Sequence, residues 1–216
     1  MSEQPPADRV AVASSRPWWV VAGVGAALVV VSVVGDFSWT GLAGGIGVGP
    51  GVEEAQTYRQ PVKSLSVTGG AGDVVVRQGA PAGTVEVTRR LGWSPGSSRP
   101  SADETWDGDA LRIDADCGAL LGWCSIDYVV TVPDGTAVTV ETGSGDIDVD
   151  LAAGSAPVDL RAGSGDVSVT VPRDGAYAVR TGTGSGDEDV EVTSDASASA
   201  RLDVETGSGD IEISYR

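Results

Sequence analysis

The sequence predicts an all-β protein, a stacked β-solenoid with coils of about twenty residues, preceded by one transmembrane α-helix. Three features predict this fold class: a recurring glycine turn, apolar residues two positions apart on both sides of it, and a single uncharged segment before the whole array. The turn is Gly-Ser-Gly-Asp at 143–146, 163–166, 184–187 and 207–210, with a looser copy, Gly-Ala-Gly-Asp, at 70–73.

The amino-terminal segment indicates a membrane anchor. Residues 1–16 are polar and carry arginine, whereas 17–35 contains no charged side chain. A helix over this uncharged stretch would rise about 28 Å, close to the thickness of the hydrocarbon core. Because no Lys or Arg follows until Arg59, the positive-inside rule places the 1–16 tail in the cytoplasm and the rest of the chain outside. A cleaved signal peptide is the alternative, since it would export the same domain.

The stretch 36–60 is predicted to be a flexible spacer. Its first part is rich in Gly and apolar side chains without any alternation, so it carries no strand signal. The folded domain is predicted over 61–216. Together these ranges predict a single-pass cell-membrane protein with an extracytoplasmic carboxy-terminal domain.

The two cysteines, Cys117 and Cys124, are predicted to form a disulfide. They bracket a short loop between two stretches of alternating apolar residues, one ending at Ile113 and the other starting at Ile126. In an exported domain a lone close pair is most simply a disulfide. A redox pair, the alternative, usually has two intervening residues and a helix amino terminus nearby.

Alternating apolar residues flank four of the five turns, five and three places before the first glycine and one and three places after the aspartate. This pattern predicts strand, tight turn and strand, each strand with one buried face. Stacked coils would leave unpaired strand edges only at the two ends. The flanking residues are Leu65, Val67, Val74, Val76, Val138, Val140, Ile147, Val149, Val158, Leu160, Val167, Val169, Leu202, Val204, Ile211 and Ile213.

One copy departs from this spacing. Val179 and Val190 lie eleven positions apart, compared with seven for Val140 and Ile147. This predicts a turn over 181–189 that is about four residues longer and bulges from the stack, either as a loop specialised for contact or as a tolerated insertion. Its tip would carry the candidate interaction residues Asp187, Glu188 and Asp189.

The turn aspartates have two interpretations. If successive coils lie about 4.8 Å apart, their carboxylates form a ladder along one edge. Either each carboxylate accepts backbone N–H groups of its own turn, or the ladder binds Ca²⁺. Calcium-binding β-rolls repeat about every nine residues and supply more ligands per turn, so the sequence favours no metal and no cofactor. The candidate ligands would be Asp146, Asp166, Asp187 and Asp210.

Composition argues against several classes of function. The net charge of −17, from 31 acidic and 14 basic residues, argues against nucleic acid as a partner, because phosphate binding needs a basic surface. The chain has no histidine, so it lacks Ser-His-Asp and Cys-His arrangements and the usual zinc sites. Two carboxylates suffice for glycoside hydrolysis, but after Val130 only Tyr177 and Tyr215 are aromatic, which makes a poor platform for sugars. The sequence therefore predicts no catalytic residue and no small-molecule substrate.

Two segments carry a family resemblance, Val-Glu-Thr-Gly-Ser-Gly-Asp-Ile-Asp-Val at 140–149 and Val-Glu-Thr-Gly-Ser-Gly-Asp-Ile-Glu-Ile at 204–213. They resemble the bacterial "putative adhesin" family of β-strand-repeat domains, which is often of unknown function and has membrane-anchored actinobacterial members. The resemblance covers about 61–216 and implies a stacked β-solenoid. It carries no catalytic or ligand residue over to this chain.

The function predicted from these features is that of a membrane-anchored, non-catalytic structural or interaction module that contacts envelope components or cell-surface proteins. One alternative is a cation-responsive or regulatory envelope sensor. Because its cytoplasmic tail would be only about sixteen residues, such a sensor would need a membrane partner. Another alternative is a carbohydrate-acting enzyme.

Overall fold

The computed structural model describes residues 51–95, 98–117, 122–152 and 156–216. The predicted cytoplasmic tail, the predicted transmembrane helix and most of the predicted spacer lie outside these ranges. Within them the secondary structure is entirely β, and no helix is long and apolar enough to cross a membrane. The strands are β1 (Val52–Tyr58), β2 (Ser64–Ala71), β3 (Val74–Ala80), β4 (Val85–Trp93), β5 (Ser101–Asp107), β6 (Ala110–Asp116), β7 (Cys124–Pro133), β8 (Ala137–Ser144), β9 (Ile147–Asp150), β10 (Val158–Ala162), β11 (Val167–Val171), β12 (Tyr177–Thr183), β13 (Glu188–Val190), β14 (Ala200–Thr206) and β15 (Ile211–Tyr215).

The strands form two sheets. Sheet A has the order β1-β4-β7-β3-β9-β11-β15-β13, and sheet B has the order β12-β14-β10-β8-β2-β6-β5. Each glycine turn leads from a strand of sheet B into the following strand of sheet A. Neighbouring copies pair in parallel and in register, for example β8 with β10 and β9 with β11. The all-β, solenoid-like prediction is therefore confirmed.

The coils do not stack in chain order. From one end to the other, the order is β6–β7, β2–β3, β8–β9, β10–β11, β14–β15 and β12–β13. The first coil thus lies between the second and the third, and the last coil in the chain lies inside the one before it. Pairing register is set by which face is apolar, and near-identical coils satisfy that rule in several orders. The connection 191–199 is long enough to lead the chain back past a neighbour.

The apolar residues predicted to flank the turns form the core. Every one of them is at most 2 % exposed, which confirms the strand-turn-strand pattern. Fully burying a Val, Leu or Ile side chain contributes about 1.5–3 kcal/mol, so a narrow core of these residues can stabilise the stack. The described strands and this core lie within 51–216, so a fragment of that range retains the contacts of the described fold.

Antiparallel strands close one end of the stack. There β1 pairs with β4 and β5 pairs with β6. The Arg89 guanidinium lies 2.7 Å from Glu54 Oε2 and 3.0 Å from Glu104 Oε1, which connects the two sheets. Tyr58 donates a hydrogen bond to the same Glu104 carboxylate. The predicted spacer is thus wrong for Val52–Tyr58, because an edge strand with polar side chains on both faces shows no apolar alternation.

The disulfide prediction is confirmed. Cys117 and Cys124 are bonded, with their Cα atoms 5.7 Å apart. The bond joins the end of β6 to the start of β7, which belong to the outermost parallel coil next to the closing strands.

Candidate functional site

The glycine turns lie one above another along a single edge of the solenoid. Their backbone bonds continue the strand ladders across the turns: the Gly145 N–H donates to Ser164 O at 3.0 Å, and the Gly165 N–H donates to Ser208 O at 2.8 Å. Directly after the turn, the Ile147 N–H donates to Asp166 O at 2.9 Å. The turns therefore form one continuous hydrogen-bonded surface, which we call the turn edge.

The aspartates of the turn edge form a ladder. In each step, Oδ1 of one aspartate accepts the backbone N–H of the aspartate in the adjacent coil, at 2.8–3.2 Å. The prediction that each carboxylate serves its own turn is wrong, because the bonds run between coils. A carboxylate that accepts a neighbouring amide satisfies a donor that the turn would otherwise leave to solvent. The ladder runs Asp127, Asp73, Asp146, Asp166, Asp210, Asp187.

The glycines permit this close stacking. Gly165 has φ +135°, and a Cβ built on it would lie 2.2 Å from Gly145 O. A Cβ on Gly163 would lie 2.5 Å from Gly143 O. The first position of the turn therefore requires glycine because the neighbouring backbone comes too close for a Cβ. The second position requires glycine for the same reason and also because its backbone conformation is left-handed.

The two ends of the ladder differ. Asp127 belongs to the disulfide-bearing coil, which has no Gly-Ser-Gly turn, so no repeat signal marks it as a member of the ladder. Burial raises the pKa of Asp127 above its ordinary value and the charge of Asp73 adds to the rise, whereas the hydrogen bond from the Asp73 amide opposes it. At the other end, no backbone amide of a described residue donates to the Asp187 carboxylate.

The candidate cation ligands thus lie in one row. Asp187 is third of the four in the sequence but stands at the end of the row, after Asp210. In each of Asp146, Asp166 and Asp210, one carboxylate oxygen accepts a hydrogen bond from a backbone amide. Among the described residues, no group of three or more His, Cys, Asp or Glu is arranged to hold a metal ion.

The predicted bulge at 181–189 does not exist. The turn 184–187 stacks directly on 207–210, and β13 pairs with β15 so that Glu188 is opposite Ile211. The Val179–Val190 spacing is long because polar residues occupy two core positions in this coil, so these valines are not equivalent to Val140 and Ile147. Aligning the copies on Gly-Ser-Gly-Asp instead of on valine would have revealed this.

The polar residues at those core positions bond to each other. Thr181, which is opposite Val204, donates its hydroxyl to Glu188 Oε2 at 2.6 Å. Glu188 Oε1 accepts the Thr183 N–H at 3.2 Å. Of the three candidate interaction residues, Glu188 therefore has its carboxylate directed onto its own coil, while Asp189 is exposed on the outer face of sheet A.

A shallow groove of about 730 Å³ runs beside the turn edge on sheet B. It crosses five coils, a span of about 19 Å at the usual strand spacing. The first glycines of the turns line it, and Arg161 is in register between Glu141 and Glu205 on its rim. The lining residues are Thr68, Gly69, Glu141, Thr142, Gly143, Arg161, Ala162, Gly163, Gly182, Thr183, Gly184, Glu205, Thr206 and Gly207.

Arg161, the cation of the groove, is paired within sheet B. Arg161 Nη1 lies 2.5 Å from Asp159 Oδ1, and Arg161 Nε lies 3.7 Å from Glu205 Oε2. The hydrogen bond and charge of Asp159 raise the pKa of Arg161 further, so the guanidinium stays charged. The backbone groups of the groove are bonded between neighbouring coils, and the Thr142, Thr183 and Thr206 hydroxyls donate to turn carbonyls. The groove thus presents a preformed backbone surface with one arginine between two glutamates.

A family model and one solved structure agree with this architecture. A family model described as Toastrack DUF4097 matches residues 28–214. A crystal structure described as a "putative cell adhesion protein" from Clostridium sporogenes is similar in fold, with 12% identity, a TM-score of 0.53, and coverage of 77% of this chain and 100% of that one. A "putative adhesin" from Parabacteroides merdae matches at 10% identity and a TM-score of 0.29, over 74% of this chain and 77% of that one. Comparison with curated proteins finds no match.

Proposed function

Since the chain belongs to the Toastrack DUF4097 family, we propose that it is a membrane-anchored cell-surface module that binds envelope components through the groove beside its turn edge and catalyses no reaction. The observation that carries this proposal is the groove beside the turn edge, which crosses five coils and exposes glycine backbone. The description of the similar Clostridium sporogenes protein as a "putative cell adhesion protein" supports a role in contact at the cell surface.

In this proposal residues 1–16 are cytoplasmic, 17–35 span the membrane, and the β-domain stands outside. The disulfide supports export, because such bonds persist in oxidising compartments. The first strand begins at Val52, so the connection over 36–51 could extend up to about 50 Å. That reach is enough to hold the groove clear of the lipid surface.

Binding without catalysis fits the side chains of the groove. Arg161 is engaged by Asp159 and Glu205, and the chain contains no histidine. A general acid or base needs a free titratable group within reach of a reacting atom. The groove instead presents a long, preformed surface of hydrogen-bonded backbone on which the exposed Glu141 carboxylate has no histidine beside it, and such a surface suits contact with an extended polar polymer or peptide.

The test is binding of the fragment 51–216 to isolated cell envelopes of the source bacterium, measured by cosedimentation. The variant Gly182→Trp should block the groove without unfolding the domain, because a Cβ there meets no atom within 4 Å and the backbone is not left-handed. We expect it to lose at least about tenfold in affinity, or about 1.4 kcal/mol. The control is Ser168→Trp, on the outer face of sheet A. Equal binding by both variants and the wild type would contradict the proposal.

The anchor has its own test. We expect the full chain to sediment with membranes and to keep its amino-terminal residues, and a protease added outside intact cells should remove the β-domain. Recovery of a mature protein that starts after the 17–35 segment would instead establish the signal-peptide alternative.

A second candidate function is cation response, favoured by the row of turn carboxylates. It predicts that a divalent cation binds along the ladder and raises the stability of the folded state. With so short a cytoplasmic tail, a signal would have to pass through a membrane partner.

A further inference from the structure

Exposed apolar side chains lie at one corner of the domain, where the turn edge meets the closing strands. Trp123 is 41% exposed and Val52 is 37% exposed, and they are two of the three exposed large apolar side chains among the residues that the structure describes. Because β1 and β7 are both antiparallel to β4, they start at the same end of sheet A. We call the surface formed by Trp123 and Val52 the Trp123 corner.

The backbone and ring of Trp123 are held in place. The Ser94 N–H donates to Trp123 O at 3.0 Å, and the Trp123 N–H donates to Ser94 Oγ at 3.2 Å. The next residue, Cys124, is fixed by the disulfide. A Cβ built on Gly92 would lie 3.0 Å from Trp123 Cζ3, so glycine at this position makes room for the ring. Trp123 is therefore preorganised on the surface rather than folded into the core.

The chain enters the domain at this corner. Strand β1 begins at Val52, which is opposite Leu91, the residue before Gly92. The uncharged stretch 17–35 is thus joined to the Trp123 corner by the connection 36–51. If 17–35 spans the membrane, this connection gives the corner a high effective concentration at the bilayer surface.

The charges around the corner are balanced. In the sheet register, Arg90 lies between Glu53 on β1 and Asp127 on β7, so this part of sheet A has no excess positive charge. In the sequence, no charged residue separates the two cysteines. The corner therefore offers apolar surface rather than charge. A tryptophan suits the boundary between hydrocarbon and headgroups, because its ring is apolar while its N–H can stay hydrated.

We propose that the Trp123 corner rests on the bilayer that anchors the chain, with the Trp123 ring in the headgroup region. This inference rests on the membrane anchor proposed above, because the anchor makes the lipid surface the nearest partner of the corner. One ring and one valine bury too little apolar surface to bind a free domain to lipid, so the contact depends on the tether. The groove runs from β2 to β12, away from this corner. Lipid contact at the corner thus orients the domain and leaves most of the groove exposed.

The first test tethers the fragment 51–216, through an amino-terminal hexahistidine tag, to phosphatidylcholine vesicles that contain nickel-chelating lipid and brominated acyl chains. Bromine quenches the fluorescence of tryptophans that reach the bilayer. The other tryptophans of the fragment, Trp93 and Trp106, are partly buried against the core. We therefore expect the wild type to lose at least about twice as much fluorescence as Trp123→Ser. Equal losses, with Trp123→Ser as stable as the wild type, would overturn the proposal.

The second test needs no substitution, so it holds even if Trp123→Ser fails to fold. Moving the tag to the carboxy terminus tethers the domain by the end of β15, which is far from the turn edge and four strands from β7 in sheet A. Quenching of the wild type should then fall at least about twofold, because the tether no longer holds the Trp123 corner at the lipid. Equal quenching from both tethers would overturn the proposal. Loss of quenching in high salt would overturn it too, since salt screens a contact between charges and spares an apolar one.

Both tests leave out residues 17–35, so they are independent of the anchor. Quenching through Trp123 can be absent while the full chain is found anchored, which would refute only this inference. Conversely, a mature protein that starts after 17–35 would refute the anchor, whatever the tethered fragment shows.

Discussion

The aspartate ladder makes a quantitative prediction for Asp166, which lies in the interior of the stack. Its Oδ1 accepts the Asp210 N–H at 2.8 Å. A hydrogen bond to a charged group contributes about 1.5–3 kcal/mol, and exposure of the turn places this one at the lower end. Removing the charge also relieves repulsion from the adjacent aspartates, worth under about 1 kcal/mol each in water. Physiological salt screens each repulsion to about 0.5 kcal/mol. We therefore expect Asp166→Ala to lower the free energy of unfolding by about 0.5 kcal/mol, the net of these two effects.

Two variants separate the acceptor oxygen from the charge. Asp166→Asn keeps an oxygen for the Asp210 amide and loses the repulsion, so we expect wild-type stability or slightly more. Asp187→Ala removes the terminal carboxylate, which accepts no hydrogen bond from the backbone amide of a described residue. It should lower the free energy of unfolding by less than about 0.3 kcal/mol. Urea unfolding of the fragment 51–216, with the disulfide intact, measures all three. Equal losses at the two aspartates, or an asparagine as harmful as alanine at position 166, would refute the ladder as a source of stability.

Three further predictions follow from the same structure. Gly165→Ala should lower the free energy of unfolding by at least about 3 kcal/mol or prevent folding. The reason is that Gly165 has φ +135° and that a Cβ there would lie 2.2 Å from a backbone oxygen of the adjacent turn. Chemical denaturation measures the loss. Burial opposes ionisation of Glu54, but the hydrogen bond and charge of Arg89 lower the pKa of this carboxyl below its ordinary value. The ionised Glu54 carboxylate therefore stabilises the fold above its unfolded-state pKa, and this stabilisation is lost as pH falls through its folded-state pKa. The difference in free energy of unfolding between the wild type and Glu54→Gln should therefore shrink in acid. Millimolar Ca²⁺ should leave the thermal midpoint of the fragment unchanged relative to chelator, whereas a rise of several degrees that disappears in Asp146→Asn would favour the cation-responsive function.

The internal coils were predictable from the sequence because the residues that define each coil lie close together in the chain. Apolar residues such as Val140 and Ile147 alternate around a glycine turn, and this pattern fixes which face is buried. The order of the coils was not predictable in the same way. Near-identical coils present the same register to every neighbour, so the chain connections decide which pairs form.

The ends of the stack were the least predictable part. Strand β1 (Val52–Tyr58) is bonded on one edge and carries polar side chains toward Arg89 and Glu104, so its sequence lacks alternation. The terminal coil breaks the apolar pattern for a physical reason, since Glu188 occupies a position that has no further coil to cover it. The Asp ladder was visible as a set of residues, but its bonds between coils depend on stacking that no single repeat encodes.

The most direct test of the proposed binding surface is hydrogen exchange of the fragment 51–216 with and without soluble material released from the cell envelope. We expect slower exchange in residues 182–184 and 205–207, which line the groove, and no change on the outer face of sheet A. Protection confined to sheet A, or no protection at concentrations at which the fragment is bound, would contradict the claim that the groove beside the turn edge is the binding surface.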